Sequence, residues 1–280
     1  MAAFKSTKKG GEQESLTFGF IDELVASTLG RVQGEDTNGK EYKSIKEMWD
    51  FELNLRHEQA NKNWYKDGLD YWEDAEKCDI SDDGVLQGYG KLTPADTVGS
   101  NLFLDAVLRI RPEMKLDVAA DGGAGIGRVT KHFLMTRFNK VHLIEVSPRL
   151  LASAPEYIGE EHKDRMQFIV QGLQDFAPKV NSYDCVWTQW VIGHLHDIDF
   201  VNFLRRCAAG LRPGGVIVLK DNCTDTTTFL VDKDDSSICR HIEYIRVLVR
   251  LAGLNIVHEQ RQKGFPEELF PVVMMALSVD

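Results

Sequence analysis

Residues 121–127 read Asp-Gly-Gly-Ala-Gly-Ile-Gly, between the apolar run Leu116-Asp117-Val118-Ala119-Ala120 and a helix-like stretch beginning at Arg128. A glycine-dense turn directly after a strand leaves main chain uncovered, so a ligand can lie close against it. In open α/β sheets the carboxyl end of a parallel strand is where nucleotides bind. Two familiar nucleotide turns are excluded. Counted from Gly123, the dinucleotide pattern G-x-G-x-x-G needs its third glycine where Arg128 stands; counted from Gly125, it needs one at Thr130. The phosphate-cradling P-loop fails as well, because no Gly-Lys-Ser/Thr follows.

What remains is a D-x-G-x-G-x-G turn, which resembles that of the seven-stranded S-adenosylmethionine-dependent methyltransferases. The second marker of that class is an acidic residue ending the next strand, placed to accept both ribose hydroxyls. Lys140-Val141-His142-Leu143-Ile144-Glu145 supplies it in Glu145. A glycine turn that merely joins strand to helix is the plainer alternative; the acidic partner at this distance favours a cofactor site.

From Pro94 onward, strand-like and helix-like segments alternate. A helix over about 94–110 leads to a strand at 116–120, the glycine turn, a helix at 128–138 and a strand at 141–145. Further strands fall at 167–170, 183–187 and 216–219, with Leu211-Arg212-Pro213-Gly214-Gly215 ending the helix before the last of them. Ile198, Val201, Leu204, Ala208 and Leu211 mark one helix by their spacing, and Ile238, Ile242, Ile245, Val249 and Ala252 the next. Two closing strands, near 255–261 and 271–278, lack an intervening helix and suggest an antiparallel hairpin at the sheet edge. The expected fold class is α/β, a seven-stranded doubly wound Rossmann-like methyltransferase sheet with an N-terminal helical extension. Residues 1–60 are expected to form a partly mobile extension, with the first forty loosely attached, and residues 61–280 the methyltransferase domain. The aromatics Trp49, Phe51, Trp64, Tyr65, Tyr71 and Trp72 precede the first strand of the domain, and a helical lid over the sheet's active edge would give them something to pack on.

The net charge of −10 argues against a nucleic-acid backbone as partner, since phosphate binding wants clustered Lys and Arg. It suits a cationic ligand or basic peptide. The five cysteines show no C-x-x-C pair and no metal spacing, so neither a metal site nor a disulfide framework is expected. No apolar run reaches signal-peptide or membrane-span length, and a cytoplasmic or nuclear location without membrane contact is the expectation.

A closer resemblance rests on Gly172-Leu173-Gln174-Asp175-Phe176, Gln189-Trp190-Val191-Ile192-Gly193-His194-Leu195, Phe203-Leu204-Arg205-Arg206-Cys207, Lys220-Asp221-Asn222 and Asp235-Ser236-Ser237. Tyr71-Trp72, Gly88-Tyr89-Gly90 and Phe265-Pro266-Glu267 add to it. Over roughly residues 62–278 the chain resembles the eukaryotic protein N-terminal (α-N-) methyltransferases. The resemblance implies S-adenosylmethionine as cofactor, held by Gly123, Gly125, Arg128, Glu145, Leu173, Gln174 and Gln189. It implies protein or peptide N-termini beginning X-Pro-Lys or X-Pro-Arg as substrates; a monomer or weak homodimer is the expected form. An S-adenosylmethionine-dependent enzyme acting on a small-molecule amine is the alternative.

Transfer from a sulfonium requires an attacking nitrogen with a free lone pair. A protein α-amine, with a pKa of about 7.7–8.0, is mostly protonated at neutral pH and needs an acceptor nearby. The resemblance assigns that role to His194 and Asp235, which would otherwise be a packing histidine and a helix cap. It likewise implies that Trp190 packs on the substrate proline, that Asn222 bonds the substrate backbone, and that Asp232 and Ser237 meet the third-position cation, with Tyr71 and Trp72 across the channel. Without it, Trp190 is a core aromatic, Asn222 a loop cap, and Asp232-Lys233-Asp234-Asp235 a solvated loop. Three departures from the family pattern stand out: Gly122 in place of a cysteine, Gln87 in place of a turn glycine, and Phe270 in place of a tyrosine of animal members. Gln87 implies a substrate-side loop of altered shape, and Phe270 a lost peptide hydrogen bond.

Overall fold

The computed structural model describes residues 16–53 and 64–280. In chain order it contains α1 (Phe18–Leu29), β1 (Gly34–Asp36), β2 (Glu41–Tyr42), α2 (Ile45–Glu52), α3 (Trp64–Glu73), the short α4 (Asp82–Val85) and α5 (Thr93–Ile110). β3 (Val118–Gly122), a π-helical turn over Thr130–Leu134 continuing into α6 (Met135–Arg137), β4 (Lys140–Glu145), α7 (Pro148–Ile158), β5 (Met166–Val170) and β6 (Tyr183–Gln189) follow. The chain closes with α8 (Asp197–Gly210), β7 (Leu211–Thr224), β8 (Phe229–Asp232), β9 (Ser237–His241), α9 (Ile242–Leu251), β10 (Asn255–Arg261) and β11 (Val272–Ser278).

The expected seven-stranded sheet is present, in spatial order β5-β4-β3-β6-β7-β11-β10. Its first five strands are parallel, and β11 runs antiparallel to both β7 and β10, so the closing pair is the hairpin foreseen. Every residue of β6 is buried, as a central strand covered on both faces requires.

Two expectations change. The stretch 211–215 opens β7 instead of ending a helix, and Ile238 belongs to β9, so the following helix starts at Ile242. The reason is backbone pairing. β6 stops at Gln189, opposite Lys220, while β7 continues to Thr224. Beyond that point β9 takes over as its parallel neighbour, Cys223 opposite Arg240 and Thr224 opposite His241. β9 pairs with β8, β8 with β1 and β1 with β2, which makes a small second sheet on the end of β7.

The second correction concerns the N-terminal extension. Its residues 1–15 and 54–60 lie outside the described residues. Within 16–40, however, the loose attachment expected from composition is not what the structure shows: Ile21 and Val25 of α1 are fully buried in the same core as β6 and α8. Thr17 caps α1 by accepting from Phe20 N at 3.2 Å, and Gly30 ends it in a left-handed conformation. Ser44 caps α2 through Glu47 N at 2.9 Å, and Glu47 returns a bond to Lys43 N. Trp49 of α2 is wholly buried and donates from Nε1 to Asp197 Oδ2 at 2.7 Å, at the start of α8. The same carboxylate receives the Tyr244 hydroxyl and two Arg240 nitrogens, at 3.0 and 2.9 Å for the latter. Arg240 also donates to the carbonyls of Ile192 and Leu195. The extension is thus bonded to the group that fixes the 192–195 turn.

Trp49→Ala should therefore lower stability by about 3–5 kcal/mol, the usual effect of deleting a buried aromatic. Urea titration followed by tryptophan fluorescence would read it, and an unshifted midpoint would mean that α2 is an appendage after all.

Candidate active site

The glycine turn leaves β3 as expected, with Gly123, Gly125 and Gly127 at φ +74°, +55° and +85°. A Cβ at Gly123 would lie 2.4 Å from Val191 Cγ2, and one at Gly127 2.6 Å from Ile158 Cδ1. At those two positions glycine answers both to backbone conformation and to crowding. A Cβ at Gly125 would meet only Val85 Cγ1, at an ordinary 3.7 Å, and the Gly125 N–H points to Glu145 Oε2 at 2.8 Å, while Ser147 N donates to Oε1 at 2.8 Å. Burial pushes the Glu145 carboxyl upward, opposed by these backbone donors. Asp121, which opens the motif, is buried beneath the turn and accepts from Thr130 Oγ1 at 2.6 Å; burial lifts its pKa to about 6.

A cavity at this end of the sheet is lined by all seven residues assigned to the cofactor: Gly123, Gly125, Arg128, Glu145, Leu173, Gln174 and Gln189. Arg206 donates to the carbonyls of Leu173, Gln174 and Phe176 and so fixes the loop after β5. The chemistry of the lining fits S-adenosylmethionine: a carboxylate whose oxygens each have capacity beyond one backbone bond, bare main chain at Gly125, and apolar walls from Ile144, Val146, Leu150 and Leu173. Gln189 and Arg128 line the wall with their polar groups already engaged. Gln189 Nε2 lies 2.8 Å from both oxygens of Asp96, and Arg128 Nη1 lies 2.8 Å from Asp96 Oδ2.

Asp96 is the centre of a network that sequence reasoning missed. Lys220 Nζ lies 2.5 Å from its Oδ1 and also bonds Ser100 Oγ. Burial works against the Asp96 charge, but Lys220 and Arg128 together hold its carboxyl below the usual range. Nothing in the sequence near Pro94 could have revealed a partner more than a hundred positions away.

A second cavity adjoins the first, and Trp72, Val85, Leu86, Trp190 and His194 line both. The second also gathers Asn222, Asp232, Asp235 and Ser237, so with Trp72, Trp190 and His194 seven of the eight residues assigned to catalysis or substrate meet here. Tyr71 does not line either cavity. Its ring packs edge-on against Trp72, and its hydroxyl accepts from Gln87 Nε2 at 3.0 Å, so it supports Trp72 from behind. Gln87 itself sits at φ +49°, the left-handed conformation a glycine adopts freely, so the turn keeps that conformation. Phe270 is 42% exposed at the rim, beside Tyr89 at 43%. Asp221, quoted for the resemblance but given no role, also lines this cavity. It accepts from the N–H groups of Val191, Ile192 and Asn222, and burial raises its pKa to about 6.

Trp190 lies at φ +53°, just where the chain leaves β6, and donates to Asn222 Oδ1 at 3.2 Å. Its ring stacks with Phe265 at 6.2 Å, with the Arg128 guanidinium 5.2 Å from its centre. His194 follows on a 3₁₀ turn. Its Nδ1 lies 3.2 Å from the Ser236 carbonyl, which can only accept, and its Nε2 lies 3.2 Å from Trp72 Nε1, which can only donate. Together these fix a neutral imidazole with the proton on Nδ1 and the lone pair on Nε2. α3 carries Trp72 across the opening as a lid. Gly68 lets it approach, since a Cβ there would sit 3.1 Å from Asp235 O and 3.7 Å from His194 Nδ1. Trp64 Nε1 anchors one end to the His194 carbonyl at 2.6 Å, and Glu73 anchors the other to Ser147 and Arg149.

Asp235 is 8% exposed, and its Oδ1 has no hydrogen-bond partner among the described residues. A buried carboxylate oxygen without a donor is costly and marks a place where a donor is received. His194, whose Nε2 accepts from Trp72, and Asp235, whose Oδ1 is buried and unpaired, thus both line a cavity that adjoins the first.

Glu145→Ala should weaken S-adenosylmethionine affinity by about ten- to a hundredfold, the scale of a lost hydrogen bond to a charged group. Titration calorimetry on the folded variant would measure it, and wild-type affinity would remove the ribose assignment.

Residues 60–278 match the family described as AdoMet dependent proline di-methyltransferase. The chain is 42% identical over 255 residues to an alpha N-terminal protein methyltransferase 1 of Arabidopsis thaliana, covering 88% of this chain and 91% of the relative. It is 43% identical over 220 residues to an N-terminal Xaa-Pro-Lys N-methyltransferase 1 of Rattus norvegicus, covering 78% and 97%. A solved SAM-dependent methyltransferase from Leishmania major superposes with a TM-score of 0.79 at 34% identity, over 89% of this chain and 96% of that one. With the sheet order, the glycine–glutamate cradle and the paired cavities, these likenesses place the chain in the S-adenosylmethionine-dependent α-N-terminal protein methyltransferase family.

Proposed function

We propose that this enzyme methylates the α-amine of protein N-termini of the X-Pro-Lys or X-Pro-Arg type, with His194 and Asp235 as the groups that receive the amine's proton. The observation that carries this reading is the unpaired, buried Oδ1 of Asp235, a residue that lines the same cavity as His194. A protonated amine satisfies the first as hydrogen-bond donor and yields its proton to the second. Since Trp72 Nε1 occupies Nε2 in this structure, proton transfer to His194 requires the lid tryptophan to give way. Bound S-adenosylmethionine supplies an electrophilic methyl group; the chain's own residues orient and deprotonate the acceptor.

Peptide recognition follows from the rest of the cavity. The Trp190 face, stiffened by Phe265 and Arg128, suits a proline ring. Asn222 keeps its amide nitrogen for backbone while its oxygen accepts from Trp190. Burial raises the Asp232 carboxyl, with Asp234 N opposing and Asp235 adding to the rise, so a cation arriving there relieves a crowded negative site. The exposed Phe270 and Tyr89 at the rim favour a chain entering from solvent over an enclosed small amine.

Purified enzyme with S-adenosylmethionine should add methyl groups to a peptide beginning Ser-Pro-Lys and none to its N-acetylated twin, as read by mass spectrometry. His194→Ala and Asp235→Ala should each lower kcat by about a hundredfold or more, the scale of lost general-base catalysis, with cofactor affinity retained. Equal loss of cofactor binding in both variants would make them structural residues, and methylation of the acetylated peptide would exclude α-amine transfer.

A further inference from the structure

Residues 34–52, which precede the span the family covers, lie directly against the acidic loop of the acceptor cavity. β1 pairs in parallel with β8, Asp36 opposite Val231, beside the strand that ends at Asp232. Thr37 N donates to Val231 O at 2.9 Å, and Lys233 N donates to Thr37 Oγ1 at 3.0 Å. The backbone is therefore held on both sides of Asp232.

Lys233 is a cation set in sequence among Asp232, Asp234 and Asp235. Asp232 and Asp235 line the cavity, and Lys233 does not. Its ammonium is paired with the carboxylate of Glu52 at the end of α2, with the Phe51 ring 5.9 Å away. The Glu52 side chain is 2% exposed and accepts from Tyr42 Oη at 2.6 Å as well. Tyr42 also reaches Asp36 Oδ2 at 3.1 Å, which ties the pair to β1. A lysine ammonium is a mobile point charge on a four-carbon stem, so without this anchor it can turn to the neighbouring carboxylates. Paired with them, it would neutralise the charge that attracts a substrate cation.

We infer that Glu52 is a specificity-determining positioning residue: it draws the Lys233 ammonium away from the acceptor cavity and so leaves Asp232 available to the cation at the third position of an incoming N-terminus. This rests on the reading of Asp232 given under the proposed function.

The test is steady-state kinetics on the full chain with peptides beginning Ser-Pro-Lys and Ser-Pro-Gln. Glu52→Gln keeps an acceptor for Tyr42 and removes the charge. It should raise KM for the lysine peptide about three- to tenfold, as an interfering rim charge does, with kcat and the glutamine peptide's KM nearly unchanged. Adding Lys233→Met to Glu52→Gln should return KM to the wild-type range, because the competing ammonium is gone. Lys233→Met alone should leave KM unchanged, since in the wild type that ammonium is already withdrawn. An unaltered KM in Glu52→Gln, an equal loss on both peptides, or a loss that Lys233→Met does not rescue would each overturn the inference. So would a lowered KM in Lys233→Met alone, which stands even if Glu52→Gln fails to fold. Asp232→Asn checks the underlying reading separately: if it leaves the lysine preference intact, Asp232 is not the cation site and the inference falls with that reading.

Discussion

A strand that outruns its neighbour exposes backbone donors and acceptors that must be paired. β7 continues past the end of β6 from Asp221 to Thr224, and much of this candidate site follows from how that overhang is filled. β9 pairs the far end, and the chain leaving β6 has to rise out of the sheet at Trp190 to make room. The space between the end of β6 and the start of β9 becomes the acceptor cavity. Three residues there or adjoining it, Trp190, Ser236 and Gln87, adopt left-handed backbone conformations without being glycine. Such conformations cost energy and persist where the surroundings over-determine them, as at a site where side chains must be aimed.

The surroundings that do so are buried charges. Asp197 collects Trp49, Arg240 and Tyr244, and Arg240 in turn clamps the carbonyls on either side of His194. Asp96 collects Arg128, Lys220 and Gln189 beneath the cofactor cavity. Each is a carboxylate held in the core by more than one donor, the condition under which a buried charge is tolerated. Neither touches the reacting atoms; both set where those that do will stand. The lid belongs to the same system, because Trp64 and Trp72 bond the backbone and side chain of His194 respectively.

Much of the site was legible in the sequence. The glycine turn and Glu145, the acidic end of the next strand, are short-range signals, and the run from Gln189 to His194 is a contiguous motif read through the family resemblance. The network partners were not legible: Asp96 and Lys220 carry no local pattern, and their pairing follows from the sheet order alone. β8 and β9 were missed because Asp232-Lys233-Asp234-Asp235 reads as a charged loop, and only the overhang of β7 turns its flanks into strands. Residues 16–40 read as loosely attached because their one apolar island, Phe18 to Leu29, stands between linker-like stretches. Ile21 and Val25 are enough, since they fall on one face of a capped helix laid against an existing core.

The sequence by itself determined the doubly wound class, the cofactor turn with its acidic partner, and the residue types available for accepting a proton. The first two depend on short-range periodicity and on glycine's conformational freedom, which are properties of the chain before it folds; the third came through the family resemblance. Only the tertiary structure decided which nitrogen of His194 carries the proton, that Asp235 keeps an oxygen unpaired, that Tyr71 stands behind Trp72, and that Lys233 turns toward Glu52. Each of these depends on a partner from a different part of the chain, and a hydrogen bond or ion pair has no existence until folding brings its two ends together.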